Sequence, residues 1–141
     1  MHAAAENVHR RPATPGPAVL AVIPARGGSK GIPRKNARFI GGRPLLAHAV
    51  LNALKSAWIT DVVVSTDDDE LARIATVHGA DVVWRPAALA RDEVALDPVI
   101  HHATQETEAR QGLAFDAVIT LQPTSPLLRA ATIDSAFARF F

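Results

Sequence analysis

Short apolar runs alternate with amphipathic stretches along most of the chain, and the two differ in period. Residues 19–23 (VLAVI) form a continuous apolar run closed by Pro24. A run without polar alternation is the mark of a strand buried on both faces. Residues 61–65 (DVVVS), 81–84 (DVVW) and 117–121 (AVITL) repeat the pattern and predict three further strands. Between them the apolar positions recur at helical spacing. Pro44 stands at the opening of a helix, a favoured place for proline. Leu45, Leu46, Ala49, Val50, Ala53, Leu54 and Ala57 then fall on one stripe. Asp67 and Glu70 have capping-box spacing for a helix over about 68–78, with Gly79 as its stop. Asp97 and Pro98 read as the N-cap and first residue of a helix reaching about Arg110. A last helix starts near Ala130. This alternation predicts the α/β class, with a mostly parallel sheet covered by helices on both faces.

The two ends depart from the pattern. Residues 1–17 (MHAAAENVHRRPATPGP) carry Ala, Pro and Arg without apolar periodicity and are expected to form a flexible tail. Residues 18–141 are expected to form one unit, with no internal repeat and no linker. At the other end, Ile133, Ala136, Phe137, Phe140 and Phe141 form an apolar stripe that meets no helix stop. The expectation is that a longer domain is truncated here. A docked C-terminal helix is the alternative.

Composition adds exclusions. With 48% hydrophobic residues the chain can bury a core. No run of about 18 apolar residues occurs, so no membrane span is expected. The start lacks a secretory-type apolar segment, and the cytoplasm is the default location. The absence of Cys excludes a disulfide framework and a thiolate zinc site. A net charge of +1 hides a segregation: residues 1–60 hold nine basic residues and one acid, residues 61–141 six basic residues and thirteen acids. A basic segment in a near-neutral chain points to a local anion site rather than a nucleic-acid surface, the alternative being a solvated basic face.

That segment is residues 25–42, ARGGSKGIPRKNARFIGG. It follows the first strand directly, and in open α/β sheets ligands bind beyond the carboxyl ends of strands. It holds five of the eight glycines, with Arg26, Lys30, Arg34, Lys35 and Arg38 inside it and Arg43 just after it. Glycines let backbone N–H groups approach an anion, Ser29 adds a hydroxyl, and Lys and Arg supply charge. No GK followed by Ser or Thr occurs, which excludes a Walker A loop, and Gly27, Gly28 and Gly31 do not give G-x-G-x-x-G. A flexible basic loop without a ligand is the other reading.

The run IPARGGSKGIPRKN, at 23–36, resembles the signature of the N-acylneuraminate cytidylyltransferases, the CMP-sialic acid synthetases. VVVSTDDDELA (62–72), VVWRPAALARD (82–92) and LQPTSPLLR (121–129) are similar to further stretches of that family, in the same order. The Kdo cytidylyltransferases differ at both the glycine loop and LQPTSP. The resemblance implies a three-layer α/β/α Rossmann-like fold of the nucleotide-diphospho-sugar transferase type. It implies transfer of CMP from CTP to an acidic nine-carbon (nonulosonic) sugar, releasing pyrophosphate. Arg26, Gly27, Gly28, Ser29 and Lys30 would wrap the triphosphate, Arg26, Lys30 and Lys35 being the catalytic cations. Asn36 would contact nucleotide, and Arg85 with the 86–97 loop would bind cytidine. Gln122, Thr124 and Ser125 would face the sugar. The resemblance also implies Mg²⁺, with ligands mainly outside this chain, and a homodimeric parent protein. Nucleic-acid and membrane partners are not implied. Two departures stand out: Leu128 pushes Arg129 one position beyond the family's usual arginine, and RDEVALDP (91–98) differs from the usual loop. Transfer of another nucleotide to another sugar, and a non-catalytic nucleotide-binding fragment, are the alternatives.

Other polar clusters read as structural. Acids at 67–70 suit a helix N-terminus better than a metal, because consecutive side chains diverge. His48 joins Asn52 and Lys55 on a solvated face, adjacent His101 and His102 read as surface, and Trp58 and Trp84 read as packing residues.

Overall fold

The structure, a computed structural model, describes residues 16–27, 35–91, 94–123 and 130–141. Most of the expected tail therefore lies outside the described residues. The four apolar runs form strands β1 (Val19–Pro24), β4 (Asp61–Thr66), β5 (Asp81–Trp84) and β6 (Ala117–Thr120). They make one sheet of order β5-β4-β1-β6 in which every neighbouring pair is parallel. The two inner strands, β1 and β4, are buried at every residue, as their unbroken apolar runs require.

Helices cover both faces. On one side α1 (Leu45–Lys55), α2 (Asp69–Val77) and α4 (Ala130–Phe140) pack Leu46, Val50, Leu71, Ile133 and Phe137 against Val19, Ala21, Ile23, Val62 and Val64. On the other, α3 (Leu96–Gln111) lays Ala103 and Ile100 over Leu20, Val22, Val63 and Val83. Each fully buried Val or Leu contributes about 1.5–3 kcal/mol relative to an exposed one, so these two layers carry most of the hydrophobic stabilisation. Between β1 and α1 the chain makes a small antiparallel hairpin, β2 (Phe39–Ile40) with β3 (Arg43–Pro44). Its turn residues Gly41 (φ 60°) and Gly42 (φ 82°) are both left-handed, the geometry that a two-residue hairpin turn needs and that glycine reaches without strain.

Several expectations move. The acid that caps α2 is Asp68, whose side chain accepts from the Leu71 N–H; because the residue three on is Leu71, a simple cap stands in place of the predicted Asp67–Glu70 box. Three successive aspartates offer the same chemistry, and only the backbone direction at the end of β4 selects among them. Helix α3 begins at Leu96 behind Ala95, which takes Asp97 and Pro98 into its first turn. His48 is half-buried and hydrogen-bonds the Ile40 carbonyl, tying α1 to the hairpin. Trp84, at the end of an edge strand, is 50% exposed rather than packed. Helix α4 docks through Ile133 and Phe137, but Ala136, Phe140 and Phe141 of the predicted stripe are exposed.

Candidate functional site

From β1 the chain moves outward to β4 and β5, then returns to the other side of β1 as β6. The order of strands reverses between β1 and β6, and a crevice opens outside their carboxyl ends, as it does at such switch points. A cavity of about 240 Å³ lies there. Pro24 and Arg26 line it from the end of β1, Gln122 and Pro123 from the end of β6. Lys35 and Asn36 enter on a short 3₁₀ turn, Lys35–Ala37, and Arg85 enters from the end of β5. The remaining wall is Leu89, Arg91, Val94, Leu96 and Val99, from the segment between β5 and α3 and the first turns of α3. One wall is thus cationic and the facing one largely apolar.

The cations are held in place by backbone. Arg85 is 8% exposed. Its Nε donates to Ser65 Oγ at 3.3 Å and its Nη2 to the Ser65 carbonyl at 3.1 Å. The same carbonyl accepts from the Ala25 N–H at 2.9 Å, so β4 ties the root of the glycine loop to the Arg85 fork. Burial pushes the Arg85 guanidinium below arginine's ordinary pKa; Asp67 pulls it back up and Arg26 pushes it further down. Arg26 Nη1 donates to the Ala90 carbonyl at 3.3 Å, joining the first loop to the far wall. Asn36 is buried, and its Nδ2 donates to the Arg26 carbonyl at 3.3 Å.

At Gly27 space is short. An added Cβ would lie 2.8 Å from Asp68 Oδ1 and 2.9 Å from Asp68 Cβ. The Gly27 N–H donates to Asp67 Oδ1 at 3.1 Å. Asp67 and Asp68 therefore grip the first glycine of the loop from two sides.

Of the residues singled out in the sequence, Arg26, Lys35, Asn36, Arg85 and Gln122 meet around this cavity, with Gly27 beside it. Gly28, Ser29, Lys30, Thr124 and Ser125 lie outside the described residues, as does Arg129. The 86–97 loop, expected against cytidine, lines the cavity through Leu89, Arg91, Val94 and Leu96, though Arg91 was not singled out; the supporting role of Ser65 and the contact of Asp67 with Gly27 were missed. Val99, in the first turns of α3, was missed as part of that wall. A pocket with clustered cations at one end and an aliphatic surface at the other can hold a polyanion joined to a planar, uncharged group. Mg²⁺ is a different matter. Among the described residues no group of three or more His, Cys, Asp or Glu converges, and the nearby Asp67 and Asp68 are engaged by backbone N–H groups. No step is assigned through a metal.

Residues 20–141 match the family model described as cytidylyltransferase. The chain is 43% identical over 122 residues to the CMP-N,N'-diacetyllegionaminic acid synthase of Legionella pneumophila, covering 84% of this chain and 51% of that protein. It is 40% identical over 108 residues to the N-acylneuraminate cytidylyltransferase of Escherichia coli, covering 77% of this chain and 25% of that one. The solved structure of CMP:2-keto-3-deoxy-manno-octonic acid synthetase complexed with CTP superposes with a TM-score of 0.69 at 25% identity, over 86% of this chain and 46% of that one. The chain thus spans about half the length, or less, of these relatives. No described helix is long and apolar enough to cross a membrane.

Proposed function

The chain belongs to the cytidylyltransferase family, and on that premise we propose that it carries the CTP site of an enzyme that loads CMP onto an acidic nine-carbon sugar. The observation that carries this reading is the meeting of Arg26, Lys35, Arg85 and Arg91 with an aliphatic wall in one cavity at the switch point. The names of the relatives, legionaminic and N-acylneuraminic acid enzymes, support the sugar class.

In this reading the triphosphate lies along the glycine loop. Arg26 and Lys35, with Lys30, Gly28 and Ser29 of the same loop, hold the phosphates by charge and N–H donation. The anomeric hydroxyl oxygen of the sugar attacks the α-phosphorus and its proton passes to solvent, the bond from the α-phosphorus to the bridging oxygen breaks, and pyrophosphate leaves with that bond's electron pair. Arg26 and Lys35 stabilise the charge that gathers on the departing oxygens, and Arg26, anchored on the Ala90 carbonyl, helps hold the reacting atoms in line. Arg85 and the wall of Leu89 and Val94 bind cytidine, while Gln122, with Thr124 and Ser125, faces the sugar. No covalent enzyme intermediate is needed, which suits a site without Cys. Mg²⁺, with ligands mainly outside this chain, completes the proposal.

The test is calorimetric titration of nucleotides into this chain. CTP is expected to bind more tightly than ATP or GTP, because base-reading groups are left unpaired by the wrong base. Arg26→Ala and Lys35→Ala are each expected to weaken CTP by roughly tenfold or more, the loss of one charge-assisted contact. Equal affinity for every nucleotide, or unchanged CTP binding in both variants, overturns the reading.

A further inference from the structure

The Asp67 carboxylate accepts from the root of the glycine loop, at the Gly27 N–H. Its position is paradoxical for a polyphosphate site, since it sets a negative charge at the root of the loop that would hold the phosphates. Two simpler roles are taken by its neighbours. The cap of α2 is Asp68, through Leu71 N–H at 2.9 Å. The Thr66 hydroxyl shapes the turn, accepting from the Asp68 N–H at 3.2 Å. What remains for Asp67 is the contact with Gly27 and its field on Arg85.

We propose that Asp67 is a positioning residue that sets the distance between the phosphate-binding loop and the base-binding Arg85. The inference rests on the CTP reading of the cavity. Asp67 follows β4 directly. From there its Oδ1 fixes the direction in which the chain leaves β1, at Gly27. Its charge meanwhile compensates the desolvated Arg85, whose fork hangs on Ser65 of the same strand. The two ends of a nucleotide are thereby held to one rigid strand end. A ligand that spans both ends, CTP, needs this spacing. A ligand that occupies only the phosphate end, inorganic tripolyphosphate, does not need it and is repelled by the Asp67 charge.

The two ligands separate the roles. Calorimetric titration of CTP and of inorganic tripolyphosphate is made into wild type, Asp67→Ala and Asp67→Asn, with thermal melts confirming the fold of each. Asp67→Ala is expected to weaken CTP about tenfold while leaving tripolyphosphate unchanged or tighter. Asp67→Asn keeps an oxygen facing the Gly27 N–H and is expected to hold CTP within about threefold of wild type. Equal weakening of both ligands by Asp67→Ala, unchanged CTP affinity in it, or an Asn variant as weak as the Ala variant each overturns the positioning role alone. Failure of wild type to bind CTP overturns the CTP reading, and the positioning role with it.

Discussion

A single methyl group at Gly27 would collide with Asp68, and the collision joins binding to stability. The added Cβ would sit 2.9 Å from Asp68 Cβ, an atom on the main-chain root that no rotamer change moves away. Either the glycine loop shifts, or Asp68 does, and Asp68 caps α2. Loss of an Asp cap costs about 1 kcal/mol, whereas Gly is itself a tolerable N-cap. Gly27→Ala is therefore expected to destabilise by about 1–2 kcal/mol. Asp68→Gly should cost only a few tenths of a kcal/mol, and in its background Gly27→Ala should become nearly neutral. Urea unfolding of the two single variants and the double variant measures the coupling. Additive costs would show that the two residues do not compete for space. None of this could be read from the sequence. Gly27 announced itself as part of a glycine loop, but the atoms that make glycine necessary there come from residue 68.

Elements were legible where their burial is complete. VLAVI and DVVVS became β1 and β4 nearly to the residue, because inner parallel strands admit apolar residues at every position. The β2–β3 hairpin was missed although Gly41–Gly42 between short extended residues is a hairpin signal. Its strands are two residues each and largely exposed, too short for periodicity. The docking of α4 shows what the apolar stripe alone left out. Besides Ile133 and Phe137, its Asp134 carboxylate accepts from Ser56 Oγ and from the Ala57 N–H. It thereby gives an acceptor to donors just past the end of α1. Phe141 adds a stack on Trp58, with ring centroids 5.4 Å apart. Asp134→Ala leaves Ser56 and Ala57 without that acceptor and is expected to cost about 1–3 kcal/mol. In hydrogen exchange the Ala57 amide and the α4 amides should lose protection while those of β1 and β4 keep it. A uniform loss across the sheet would mean that α4 is integral to the core rather than docked upon it.

Over the whole molecule, the strands run from acidic amino ends to carboxyl ends where the cavity's cations stand beside the acids of residues 67–70. The amino ends of β4, β5 and β6 carry Asp61, Asp81 and Asp116. The carboxyl ends carry Arg26 and Arg85, and Lys35 and Arg91 join them around the cavity. The sequence showed the basic segment and the strand it follows. It could not show that Arg91 and the aliphatic wall fold over the same opening, because that depends on where the 86–97 segment returns to the sheet. A chain of formal net charge +1 should consequently bind a polyanion as though it were strongly basic. Exposed parts of such a field are screened as the Debye length falls from about 10 Å at 0.1 M salt to about 3 Å at 1 M. CTP affinity is therefore expected to fall by roughly tenfold over that range, while cytidine, with no phosphates, should change little. Arg85→Ala should lower CTP affinity with only a small change in slope, because a buried fork is screened less than the partly exposed Arg26 and Lys35. Titrations of both ligands at increasing NaCl check this, and a CTP affinity as insensitive to salt as that of cytidine would show that the cationic edge does not hold the phosphates.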